Sequence, residues 1–553
     1  MTGALALGWQ HYAEVNAQHE VAQRATRQSW LNQGEKNPHS AAHYGVYAFK
    51  PKMPLSLVDR GVDPYVGVAS WLEAHKQNEF KFKPAQDATA LQRLGEMTGA
   101  TVLQLLLPLL IILLTFSAIA AEREQGTLRQ VLSLGVSRSG LAAGKALGIS
   151  YALALLLIPS TAIGVLALGL ASEHGALQAA LPRLGVMAIV YLLYFATFIG
   201  LSLAVSAKAP SSRVALITLL GFWILNGLIA PKVVADVARS VHPSPSALEF
   251  AKQIEHDIEN GINGHDPSDK RAEELKQKLL RQYKVDRVEK LPVSFAGISM
   301  QESEEYGKKV FDKHFTALWD TYARQRQIHE ASAVLAPVLA VRSLSMSLAG
   351  TDFSQHAHFA EAAEAYRRKF VREMNMDLAH NMKSSEYSQT YLRGRDLWEK
   401  VPAFSYIAPR PGLGDVTSDN KPGVVDALGA VGRVDGLWKR PFREGGAVMA
   451  IGLIARNDWR NLKADRTLWA VAALLALTIG YGVYNGAGWV RFQSQTIERA
   501  LAEEEKRLSD LRQGIDDMNA GRIQRPSWRD PRNPFGTRWA VVGLSCRRRR
   551  WLL

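Results

Sequence analysis

A single cysteine in 553 residues, Cys546, excludes an intramolecular disulfide framework and any cysteine-based zinc site. A phosphate-binding loop is missing too. Gly140 to Lys145, GLAAGK, has three residues between its glycines where such a loop has four, and Ala146 follows where Ser or Thr is required. His329 and Glu330 begin a zinc-peptidase pattern, but Ala333 stands where the second histidine belongs. Met1 to Trp9 has no basic start of a cleavable signal and is too short to span a bilayer, so residues 1–9 are expected to be the remnant of a first membrane helix. The net charge of +14 comes from dispersed lysines and arginines, which argues against a nucleic-acid partner and for basic loops beside a lipid membrane.

What the chain has is long apolar runs. Val102 to Ala121 holds twenty residues without a charge, and Ala146 to Ala171 holds twenty-six. Each clears the roughly 20 residues needed to cross hydrocarbon. Leu184 to Ala207 is a third run, and Val214 to Pro231 a shorter fourth. The bulk composition of 47% hydrophobic and 21% charged residues therefore averages two populations. The fold class expected is mainly α: a polytopic bundle of about five spans with a large, mostly helical extracytoplasmic domain.

Basic residues orient the bundle. The loop after the first run carries Arg123, Arg129, Arg138 and Lys145, and the loop after the third carries Lys208 and Arg213, whereas Ser172 to Arg183 has only Arg183. Residues 121–145 are thus expected to be cytoplasmic. The soluble segments 10–100 and 232–408 then fall on the opposite side, flanking a four-span region at 101–231. In the second segment Asp266 and Pro267 read as a helix start, followed by an apolar stripe at Leu275, Leu279, Leu280 and Tyr283. Tyr306, Val310, Phe315, Leu318 and Tyr322 make a second stripe, and Phe359, Ala363, Tyr366, Phe370 and Met374 a third. Ala336 to Gly350 is apolar but short and contains Arg342, so a buried helix is expected there rather than a span. Metal binding by His265, Asp266 and Asp269, or by His356 and His358, is weaker than ordinary capping and surface roles for these residues.

Beyond an irregular junction at 409–448, Thr467 to Trp489 is a further charge-free run, placed in a unit at 449–489, and Ile497 to Gly514 is highly charged. Gly488 and Trp489, a polar helix, then Asn533 and Pro534 parallel Gly8 and Trp9, a polar helix, then Asn37 and Pro38. This reads as a weak repeat. The second unit would be the start of a related membrane protein, with 490–553 a polar helix and irregular tail ending near Arg547 to Arg550. A joined reading of two neighbouring genes accounts for that arrangement.

Glu122, Arg123, Glu124, Gln125, Gly126, Thr127 and Leu128, then Val136, Ser137 and Arg138, then Gly144 and Lys145, resemble the cytoplasmic loop of type-2 ATP-binding cassette permeases. Gly264 to Asp269, Leu291 to Gly297, Ser345 to His356 and Ala363 to Phe370 resemble the subgroup with a large extracytoplasmic helical domain. The resemblance implies a non-catalytic permease subunit of a bacterial inner-membrane exporter. It implies no cofactor on this chain, with ATP and Mg held by a separate cytoplasmic ATPase, and a second permease copy or paralogue as partner. It also implies that Glu122, Arg123, Glu124, Gly126, Thr127, Arg129, Arg138, Gly144 and Lys145 couple to that ATPase. The residues themselves suit a short interfacial helix, with Leu128, Val131, Leu132 and Leu134 toward lipid or neighbouring spans and Glu122, Glu124, Arg129 and Gln130 toward the cytoplasm. A membrane-anchored extracytoplasmic scaffold or receptor without transport is the alternative, and a membrane peptidase ranks last.

Overall fold

Thr2–Leu31 forms one uninterrupted helix, α1, so no break falls at residue 9. The computed structural model describes residues 2–78, 80–81, 83, 98–171, 174–262, 268–386 and 390–408, with single positions at 509 and 513. The chain divides into two units, Met1–Gly486 and Ala487–Leu553. Only the first is considered below. The junction at 409–448, the repeat unit at 449–489 and the tail lie outside the described residues, the two single positions excepted.

After α1 come the short helix α2 (Pro38–Tyr44) and an antiparallel sheet in the order β1 (Val46–Phe49), β2 (Ala69–Leu72), β3 (Phe80–Lys81). Val46 stands opposite Leu72 and Ser70 opposite Phe80. Four helices long and apolar enough to cross a membrane follow, as the uncharged runs lead one to expect. They are α3 (Gly99–Glu124), α5 (Arg138–Ala171), α6 (His174–Lys208) and α7 (Ser212–Val241), with the single-helix turn α4 (Thr127–Ser133) between the first two. Two of them are irregular inside: Val102–Leu106 of α3 and Leu225–Ile229 of α7 are π-helical, a form that tends to mark functional positions. Leu103, Ile111 and Ile112 of α3 pack with Met187, Tyr194 and Phe198 of α6 and Leu219 of α7. On α5, Gly164 is where α1 comes closest, since a methyl group there would stand 3.1 Å from Leu5 Cδ1.

The longer helices that follow are α8 (Ala247–Asn260), α9 (Ser268–Tyr283), α10 (Phe295–Ser332), α11 (Pro337–Ala349) and α12 (Phe353–Asn381). The stripe on α12 points inward, with Phe359, Ala363, Phe370 and Met374 buried, whereas of the other two stripes only Leu279 on α9 and Val310 on α10 are buried and Tyr283 is exposed. Asp266 falls outside the described residues. α11 is the buried helix expected from its length, with Val338, Val341, Leu344, Leu348 and Ala349 sequestered. It seats against the α3–α6–α7 bundle rather than in the soluble core.

The soluble core draws on both ends of this first unit. Trp30 of α1, Ala41 and Ala42 of α2, and Val46 and Leu72 of the sheet share one cluster with Phe359, Phe370 and Met374 of α12 and with Trp398. Trp30 Nε1 donates to the Trp398 carbonyl at 2.9 Å, and Trp398 Nε1 donates to the Gly34 carbonyl at 3.1 Å. Both indole N–H groups are thereby satisfied although the rings are fully buried. Helices α10 and α12 approach so closely that a Cβ on Gly297 would lie 2.4 Å from the Ala379 nitrogen. Gly297→Ala should therefore cost about 1–3 kcal/mol through forced separation of the helices, read as a lower unfolding temperature of the purified chain.

A buried ion triad closes the loop between β1 and β2. Asp63 accepts from Lys50 Nζ at 2.7 Å and Lys52 Nζ at 3.1 Å. Burial would raise the Asp63 carboxyl, but the two ammonium groups more than offset it and hold it below the ordinary carboxylate range. A depressed folded pKa gives stability that is present above the unfolded value of about 3.9 and lost as pH falls below it. Thermal unfolding followed downward in pH should show this acid-side loss. Asp63→Asn should lack that component and be destabilised by about 3–5 kcal/mol at neutral pH, because two lysines remain buried without a counter-charge.

Candidate functional site

The residues Glu122, Arg123 and Glu124 tie the end of α3 to each of the other three long helices. Glu122 Oε1 pairs with the buried ammonium of Lys145 on α5 at 2.6 Å. Arg123 donates to the carbonyls of Ala207 at 2.6 Å and Ser206 at 3.3 Å, and also to that of Ala209, at the C-terminal end of α6. Those carbonyls have no partner within the helix, and a guanidinium fork suits several at once. Glu124 accepts from Ser212 twice, from its backbone N–H and its hydroxyl, both at 2.8 Å, at the start of α7. A carboxylate at a helix N-terminus is favoured by the orphan N–H groups and the dipole. Ser206 adds a fourth tie by accepting the backbone N–H groups of Ile119 and Ala120 at 3.0 and 3.1 Å.

The other sequence-selected residues shape or present α4. Gly126 precedes it with φ +76°, a left-handed conformation that favours glycine and turns the chain from α3 into α4. Thr127 donates its hydroxyl to the Glu122 carbonyl at 3.1 Å. Arg138 opens α5 and is exposed, whereas Gly144 is buried one residue before Lys145. Arg129 and Gln130 are exposed on α4. One part of the expected orientation is corrected here: Glu122 turns inward to the buried ammonium of Lys145, whereas Glu124 stays exposed while it holds Ser212 at the start of the next long helix. Leu128 packs on the bundle core, and Leu134 presents an 83% exposed side chain at the end of the same short helix.

A second set of polar contacts sits where the two π-helical turns meet α11. Gln104 Nε2 donates to Tyr191 Oη at 3.1 Å, leaving Tyr191 to donate to Ser345 Oγ at 2.9 Å and Ser345 to donate to Asp59 Oδ2 at 2.5 Å. Tyr194 donates to the Gln104 carbonyl at 3.0 Å, and Trp223 Nε1 to the Leu105 carbonyl at 3.0 Å. Asn226 Oδ1 accepts the Val338 N–H at 3.2 Å and so caps the start of α11. Arg342 of α11 reaches Gln104 Oε1 at 3.5 Å. Burial raises the Asp59 carboxyl, against the lowering effect of Ser345, the Gly61 N–H and Arg342. Of these residues the sequence marks Arg342, in the short apolar stretch, and Ser345, at the start of the Ser345 to His356 passage, and it gives no local signal for Asp59 or Tyr191.

Of the metal candidates weighed from sequence, the pair His356 and His358 lies wholly within the described residues. His265 and Asp266 lie outside the described residues. His356 packs its ring on Phe80, with centroids 4.6 Å apart, whereas His358 Nδ1 faces Tyr406 Oη at 3.0 Å. These two histidines serve different neighbours.

Arg123 is the member whose loss leaves the most orphan groups. Arg123→Ala should destabilise the chain by about 1–3 kcal/mol through unsatisfied helix-end carbonyls, and Arg123→Lys should restore only part of it because an ammonium lacks the planar fork. Thermal unfolding in detergent ranks the three proteins.

Two family models match parts of the chain. A domain of unknown function, DUF3526, matches residues 247–407, and a protein of unknown function, DUF2705, matches residues 72–254. No curated protein and no solved structure matches the chain. The two models between them run from β2 to Ile407, through all four long apolar helices and the helices that follow, and neither description names an activity.

Proposed function

We propose that this chain is the permease subunit of an ATP-driven exporter of the type-2 cassette class, in a bacterial inner membrane. Helices α3, α5, α6 and α7 cross the bilayer, α4 faces the cytoplasm, and the soluble domain is extracytoplasmic. ATP and Mg are handled by a separate ATPase chain, with a second permease copy completing the pore. The observation that carries this reading is the set of ties made by Glu122, Arg123 and Glu124 to α5, α6 and α7. A displacement imposed on α4 passes through three short polar contacts to every other span, which is what energy coupling requires of such a loop. The resemblance of the loop to that of type-2 permeases supports the same reading.

The docking surface follows from what α4 leaves outside: Arg129, Gln130, Ser133 and Leu134 are exposed beside Gly126. Glu122 and Glu124 then transmit the motion through Lys145 and Ser212. At the far end of the bundle the contacts from Gln104 to Asp59 link α3 and α6 to α11, so spans that shift relative to one another break and remake them.

Purifying the full chain from its native membrane in mild detergent should recover a bound ATPase. Arg129→Glu combined with Leu134→Asp should abolish the recovered ATP hydrolysis while the chain still inserts. Glu124→Gln should retain ATPase binding but uncouple hydrolysis from transport. Purification without any ATPase, or full retention after the double change, would sink the reading and leave a membrane-anchored scaffold in its place.

A further inference from the structure

His39, His43 and His75 each bring a ring nitrogen to within 4.8 Å of the others, in the soluble domain and away from the helices discussed above. Two elements supply them. His39 and His43 stand one turn apart on α2, whose start is set by Pro38 at its first position and by Asn37, which accepts the His39 N–H at 2.9 Å. His75 follows β2 with φ +64°, a left-handed conformation seldom adopted by a residue other than glycine. Glu304 of α10 holds it there, accepting its backbone N–H at 2.6 Å.

Hydrogen-bond polarity fixes which nitrogens are available. Glu305 accepts from Gln301 Nε2 at 2.5 Å, and a carboxylate can only accept, so Gln301 Oε1 is left to accept from Asn375 Nδ2 at 3.3 Å. Asn375 Oδ1 therefore faces His39 Nδ1 at 2.9 Å, which must carry the proton. His75 Nδ1 lies 2.7 Å from Glu304 Oε1 and carries one for the same reason. In the neutral rings both Nε2 atoms are then lone pairs, yet they face each other at 3.1 Å. Two lone pairs at that separation need a cation between or beside them. Nitrogens on one tetrahedral zinc, at about 2.0–2.1 Å each, stand about 3.3–3.4 Å apart.

The surroundings favour a metal over a shared proton. His43 is a third imidazole, its ring centred 4.8 Å from that of His39 and 5.0 Å from that of His75. Backing of ligand Nδ1–H by a carboxylate and an amide carbonyl is the arrangement that orients metal-bound histidines. Glu304 is itself fixed, because its other oxygen accepts from Arg367 at 3.3 Å and Arg367 is gripped by Glu364 at 2.7 and 2.8 Å. Hard cations such as calcium would require oxygen ligands instead.

We propose that His39, His43 and His75 bind one Zn2+ ion, with a fourth position open to solvent because His43 and His75 are exposed. The bound ion clamps the turn after β2 to α2 and, through Glu304, to α10. This assignment does not depend on the transport reading.

The test is isothermal titration of the full chain in detergent, carrying a tag without histidine and stripped with chelator, using ZnCl2 alone. One Zn2+ per chain is expected. His43→Ala and His75→Ala should each weaken it by more than about 100-fold, beyond the 10–100-fold expected of Glu304→Gln. Co2+ in place of Zn2+ should give the visible absorption of a tetrahedral site. His43 is exposed, so unchanged unfolding of its metal-free variant separates ligand loss from misfolding. No binding, affinity unchanged in either histidine variant, or an octahedral cobalt spectrum overturns the assignment.

Discussion

The meeting of Trp30 with Trp398 is the contact on which the architecture turns. The two indoles, 5.8 Å apart and nearly perpendicular, come from either side of the four long apolar helices, and each buried N–H is satisfied only in the other's neighbourhood. A core shared in this way allows only an even number of membrane crossings between its two halves. The four helices long and apolar enough to cross a membrane satisfy that condition.

Within hydrocarbon every polar group must find a partner in the protein, and this chain concentrates its solutions at the two ends of the bundle. At one end the Glu-Arg-Glu triplet answers orphan groups of helices that begin and end there. At the other, Gln104, Tyr191, Asn226 and Ser345 answer one another where α11 is inserted. Between them the interior is leucine, isoleucine and aromatic side chains. Such a bundle can slide along its apolar middle at little electrostatic cost, while its polar ends define discrete registers.

The long helices and the burial of α11 were legible because length and absence of charge suffice to mark them. The stripe on α12 was legible for a similar reason, its period being local. The loop residues Glu122 to Lys145 could be selected as a group, but not oriented, because their partners Ser206 and Ser212 are distant in sequence and ordinary in type. The π-helical turns carry no composition signal at all. That Trp30, Val46 and Leu72 share one core with Phe359, Phe370 and Trp398 is likewise invisible to periodicity, which reports a buried face and not what covers it. His39 and His43 show metal-like spacing on a short helix, but His75 joins them from an irregular turn whose geometry depends on Glu304.

Helix α1 runs from Leu5, seated against α5, to Trp30 in the soluble core, a stretch of about 38 Å at 1.5 Å per residue. It contains no proline and no described interruption. A rod of that length anchored at both ends magnifies angle into distance: a tilt of about 5° at Leu5 moves Trp30 by about 3 Å. Close-packed side chains such as those around Trp30 resist absorbing a shift of that size. The residues packed around Trp30 then swing with the helix, so the angle of α1 against α5 sets where its far end points.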